Sequence, residues 1–98
     1  MSDKTTAELG VWIEDTKYFC PAQCYYYFQD KNKDYFCIYL RWRYEDPWSA
    51  NLIKFKDETL DWEKCMWLEI GLNKEYNKNE LEELKVDARK TVIKQLHL

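Results

Sequence analysis

Four cysteines, one histidine and a scatter of closely spaced acids are the side chains of this 98-residue chain whose chemistry is most easily named. Cys20 and Cys24 have three residues between them, and Cys37 and Cys65 are the thiolates that would complete a small zinc-stabilised domain. Zinc sites commonly use a tighter paired spacing that aims both sulfurs inward, so the expectation is reduced, buried thiols and no metal or other cofactor. Asp46, Asp57, Glu58, Asp61 and Glu63 fall near turns, where hydration explains acids as well as a divalent cation or an acid pair would. His97 lies next to the last residue, which leaves a histidine-centred triad without a home and suits a helix end. Gly10 and Gly71 are the two glycines, too few and too far apart to cradle a phosphate. An enzyme is not expected.

The other chemistry in the chain is recognition. Tyr25, Tyr27, Tyr35, Tyr39, Arg41 and Arg43 are close in sequence, and Tyr, Trp and Arg are the residues most enriched at protein hot spots, because each joins a large contact area to a hydrogen-bonding end. A protein partner, including a second copy of the chain, suits an aromatic centre ringed by Arg41, Arg43, Asp46 and Glu69. The alternative is a single-stranded nucleic acid that stacks bases on Tyr25, Tyr27 and Tyr39 and sets phosphates on Arg41 and Arg43. That alternative lacks the aromatic-plus-glycine signature of the common RNA-binding sheet and any pronounced basic balance. Two bland readings compete with both: an ordinary solvated face, or a minor core covered by Trp12, Trp48 or Trp67.

These residues are positioned by a hairpin. Tyr25 to Phe28 and Tyr35 to Arg43 are β-prone, and the segment Asp30-Lys31-Asn32-Lys33-Asp34 between them is turn-forming. Setting Asp30 across from Asp34 makes Phe28 face Phe36, Tyr26 face Ile38, Cys24 face Leu40 and Ala22 face Trp42. The even-numbered residues of both strands then share one apolar side. The same register places Tyr25 opposite Tyr39, Tyr27 opposite Cys37 and Gln23 opposite Arg41 on the other, because side chains alternate along a strand. A slip of one residue would bring the wrong set onto each face, so the pattern itself supports the register.

Around the hairpin, Leu9, Val11 and Ile13 alternate with Gly10, Trp12 and Glu14 as a short first strand, and Glu14 to Lys17 turns the chain. Tyr18 to Cys20 is a candidate start of the second strand, with Pro21 at an edge, a bulge or the strand start. Pro47 breaks the periodicity after the hairpin. Asn51 to Lys56 and Glu63 to Ile70 read as two more strands separated by the Asp57-Glu58-Thr59 turn, the last ending at Gly71. Asn77 caps a helix with Glu80 as its capping-box partner and Tyr76 and Leu81 as a staple, and Leu81, Leu84, Ala88, Val92 and Leu96 form its apolar stripe. Glu82, Lys85, Arg89 and Lys90 are expected at the rim of that stripe, with Val86 and Ile93 as a second small apolar side.

The resulting fold class is α+β, an antiparallel sheet of four to five strands with one C-terminal helix packed across one face. Residues 1–98 read as one small domain with residues 1–6 a loose end. The net charge of -3 gives no general drive toward nucleic acid or an anionic membrane. No stretch nears the roughly 20 apolar residues of a membrane span, and MSDKTTAELG lacks the features of a secretory signal, so a cytoplasmic location is expected. The functional expectation is a non-enzymatic protein-interaction domain, an inhibitor, adaptor or regulatory protein of the phage or mobile-element type.

Overall fold

The computed structural model describes residues 9–15, 22–43 and 47–98. Residues 1–6, the strand start at Tyr18 to Cys20, Pro21 and Asp46 lie outside the described residues. Five strands form one antiparallel sheet in chain order: β1 (Trp12–Asp15), β2 (Ala22–Gln29), β3 (Tyr35–Trp42), β4 (Ser49–Phe55) and β5 (Cys65–Glu69). A short helical turn, Lys78–Glu80, leads into the helix α1 (Leu81–Leu96).

The hairpin register is the one the alternation dictates: Ala22 pairs with Trp42, Gln23 with Arg41, Tyr25 with Tyr39, Tyr27 with Cys37 and Phe28 with Phe36. Its loop is closed locally. Asp30 Oδ1 accepts from the amides of Asn32 and Asp34, and Lys33 takes the left-handed conformation at φ 67° that a three-residue hairpin loop requires at that point.

α1 lies over the even-numbered face. Leu84, Ala88 and Val92 are almost fully buried against Cys24, Phe36, Ile38, Leu40, Trp42 and Leu52, and Trp48, Ile70 and Tyr76 complete this main core. Each fully buried leucine or valine side chain here stabilises the fold by about 1.5 to 3 kcal/mol. The cap at Asn77 is built as its sequence implies: the side chain accepts from the Asn79 amide, and the Glu80 carboxylate accepts from the Asn77 amide. At the other end His97 adopts φ 58°, and the amides of His97 and Leu98 reach back to Lys94 and Ile93. The histidine thus ends the helix with its backbone.

Several expectations need correction. The first strand is displaced to Trp12–Asp15, with Leu9 joined to Tyr27 through an isolated bridge. Its inward residue is Trp12, packed on Tyr26 with ring centroids 5.1 Å apart, while Leu9, Val11 and Ile13 are exposed. Lys85 is not a rim residue. It is buried because Glu14 of β1 and Glu82 both accept from its ammonium while Trp12 lies 5.8 Å away, a long-range arrangement that no helical spacing can disclose. Val86 and Ile93 are exposed, so the sheet does not curl around a second apolar side of the helix.

Candidate interaction surface

The odd-numbered face of the sheet carries a second, smaller core. Cys37, Ile53 and Phe55 are buried there, with Tyr25, Tyr27, Tyr35, Tyr39, Leu60, Trp62 and Cys65 packed around them. No helix among the described residues covers this side. The cover is Trp62, delivered by the connection between β4 and β5, where the minor-core reading offers Trp12, Trp48 or Trp67. Trp12 and Trp48 belong to the helix-side core, and Trp67 remains half exposed.

Two consecutive aspartate turns deliver Trp62. Asp57 Oδ1 accepts from the Thr59 amide, and Leu60 at φ 54° closes that turn by donating to the Asp57 carbonyl. Asp61 Oδ1 then accepts from the Glu63 amide, and the Lys64 amide donates to the Asp61 carbonyl. Asp57 and Asp61 are thus engaged in shaping the loop. Trp62 is held between the two turns, edge-on to Phe55 at 5.2 Å, to Tyr39 at 5.6 Å and to Tyr25 at 6.0 Å between ring centroids. Edge-to-face rings of this kind add about 0.5 to 1.5 kcal/mol beyond area burial.

Trp62 divides the face into two ends. At one, Tyr27 stacks on Phe55 at 6.0 Å, and Tyr35 packs against the same small core. Burial pushes the Tyr27 hydroxyl up to about 12 and the Cys37 thiol up to about 12, so both stay protonated and chemically quiet. At the other end the Tyr39 and Tyr25 hydroxyls both donate to Gln23 Oε1, at 2.7 and 3.0 Å. Burial also raises both of these tyrosines from their ordinary value, which keeps the hydroxyls in the donor form the glutamine needs. The three side chains therefore form a fixed platform.

Beside the platform, Arg41 is half buried, and its Nε has no hydrogen-bond partner among the described residues. Arg43 is exposed just beyond the strand. Trp67 stands edge-on to Tyr39 at 5.7 Å and is 52% exposed. In the sequence Trp67 reads as one of three alternative covers of a minor core. The usable signal was its position on the last strand, where no further strand can shield it.

The cysteines are separated as their register implies. Cys24 is buried under the helix, while Cys37 is buried on the opposite face and Cys65 donates to the Trp62 carbonyl at 3.1 Å. With a sheet between them, Cys24 and Cys37 cannot ligate one ion. Cys20 lies outside the described residues, and among the described residues no group of three or more potential ligands gathers. No helix among the described residues is long and apolar enough to cross a membrane. Compared with protein-family models, curated proteins and solved structures, the chain matches none.

Proposed function

We propose that this chain is a non-enzymatic protein-interaction domain that docks a partner on the end of the tyrosine face left open by Trp62. The observation that carries this reading is the pairing of a rigid platform with a half-exposed anchor: two tyrosine hydroxyls tied to Gln23 Oε1, with Trp67 upright against Tyr39. A preordered aromatic surface loses little side-chain freedom on binding, and a half-exposed tryptophan has a large area left to bury. Arg41 supplies the polar element. Its half-buried guanidinium stands beside the platform and can donate charge-assisted hydrogen bonds to an incoming carbonyl or carboxylate. Arg43 belongs to the exposed rim of the same patch, whereas Tyr27 and Tyr35 serve as its supports. An inhibitor, adaptor or regulatory role fits a domain of this size whose chemistry is contact.

The test is to make Tyr39→Ala and Arg41→Glu separately, verify folding, and measure self-association and complex formation with host proteins. Loss of a defined complex by about 1 to 4 kcal/mol in at least one variant, without comparable loss of fold, is the expected result. Unchanged association in both would remove the site from this face. A complex that disappears on nuclease treatment and weakens steeply with salt would instead mark a single-stranded nucleic acid as the partner.

A further inference from the structure

Among the described residues β5 is an edge strand, so the backbone amides and carbonyls of alternate residues have no neighbouring strand there to bond. The two edges of the sheet differ. β1 presents Glu14 and Asp15, charged residues of the kind that blunt an edge, whereas β5 reads CMWLE and is uncharged until Glu69. Met66 and Trp67, 57% and 52% exposed, stand on its two faces. At its far end the Glu69 carbonyl already accepts from Gln95 Nε2 at 3.0 Å and the Leu68 carbonyl from Asn51 Nδ2 at 3.4 Å, which leaves Cys65 to Trp67 as the open length.

The charge beside this edge is specific. Lys54 pairs with Met66 on the helix-side face, and Lys56 and Lys64 flank the adjoining ends of β4 and β5. They line a groove of about 680 Å³ in which Asp34 also stands, 4.0 Å from Lys54. The groove is therefore locally basic in a chain of net charge -3. On the opposite face, Trp67 presents an apolar surface continuous with Trp62, while Cys65 and Phe55 line the lysine groove itself.

We propose that the β5 edge binds an extended peptide segment in which acidic and apolar residues alternate, adding a sixth strand to the sheet. Backbone pairing supplies the affinity common to strand addition, and the alternation supplies the specificity: acidic side chains fall among Lys54, Lys56 and Lys64, and apolar ones fall against Trp67. A second copy of β5 does not meet this requirement. Paired antiparallel about Trp67, it would place Leu68 across from Met66 and bring no acid to the lysines, while setting Glu69 diagonally to Glu63. The site goes beyond the tyrosine-face reading and shares only Trp67 with it.

The experiment titrates ¹⁵N-labelled protein with a blocked peptide of alternating glutamate and valine, with its lysine–valine counterpart, and with oligothymidine. The expected result is amide shifts centred on Cys65 to Glu69, slowed exchange of edge amides in that strand, and a clear preference for the glutamate peptide. Lys64→Glu is expected to weaken that binding about tenfold or more, while Arg41→Glu leaves it unchanged. Equal binding of the lysine peptide, preference for oligothymidine, peptide-independent dimerisation through β5, or no binding up to about 1 mM would each overturn the proposal. Failure of this titration leaves the tyrosine face to its own variants, since Arg41 and Lys64 are altered separately.

Discussion

Trp62 stands edge-on to Phe55, with ring centroids 5.2 Å apart and ring planes at 81°. Phe55 is the last residue of β4, and Trp62 lies in the loop that follows, so a single connection folds back to cover the strand it has just left. That contact, with Trp62 also edge-on to Tyr39 and Tyr25, turns the middle of the face into a core and leaves Trp67 and Arg43 exposed at its margin. The division explains how so many tyrosines on one face serve two purposes.

Trp62→Ala is expected to destabilise the domain by about 2 to 4 kcal/mol, because it uncovers Phe55, Tyr27 and Tyr39 together and leaves two aspartate turns without their load. Urea denaturation measures it as a lower midpoint with a similar slope.

Leu84→Asp tests the helix-side packing. Leu84 is fully buried, and an unpaired carboxylate there would have to be dehydrated or neutralised. The variant is expected to unfold or to lose most of its stability, and a denaturation midpoint close to that of the parent would reject the placement of α1.

The thiols are expected to separate by reactivity. Burial pushes Cys37 up to about 12, and burial together with the nearby Glu82 carboxylate pushes Cys24 up to about 11. Cys65 is raised by burial too but is part exposed. Alkylation at mildly alkaline pH, mapped by mass spectrometry, should label Cys65 well before Cys24 and Cys37, which become reactive on unfolding. Early labelling of Cys37 would contradict the covered middle of the face.

Glu80 sets a pH dependence at the start of the helix. The hydrogen bond from the Asn77 amide, then the one from Lys74, hold its carboxyl below the ordinary 4.5. A carboxylate lowered in the folded state binds protons more weakly there than in the unfolded chain. Its contribution is present above the unfolded value and is lost as pH falls through the folded one. The gap in thermal midpoint between the parent and Glu80→Gln should therefore be widest near neutrality and close on acidification through the carboxylate range.

The central hairpin was legible in the sequence because its two faces differ at every position and a loop flanked by Asp30 and Asp34 admits one register. The Asn77 cap and the Leu84, Ala88 and Val92 stripe were legible for the same reason: fixed local spacings carry them. The two interactions that escaped have no period. Trp62 reaches the tyrosine face from an irregular loop, and Lys85 is buried through Glu14, 71 residues away. Trp67 reads in the sequence only as a candidate cover, because its exposure depends on β5 being the outer strand, which is a property of strand order.

The most direct measurement compares Trp67→Ala with Trp62→Ala in one experiment that reads both thermal midpoint and association, with itself and with captured host protein. If the face is divided as described, Trp67→Ala weakens a defined complex by about 1 to 4 kcal/mol with little change in midpoint, while Trp62→Ala lowers the midpoint markedly. A Trp67→Ala variant that associates as the parent does, or one that loses stability as Trp62→Ala does, would contradict the assignment of the open margin to partner binding.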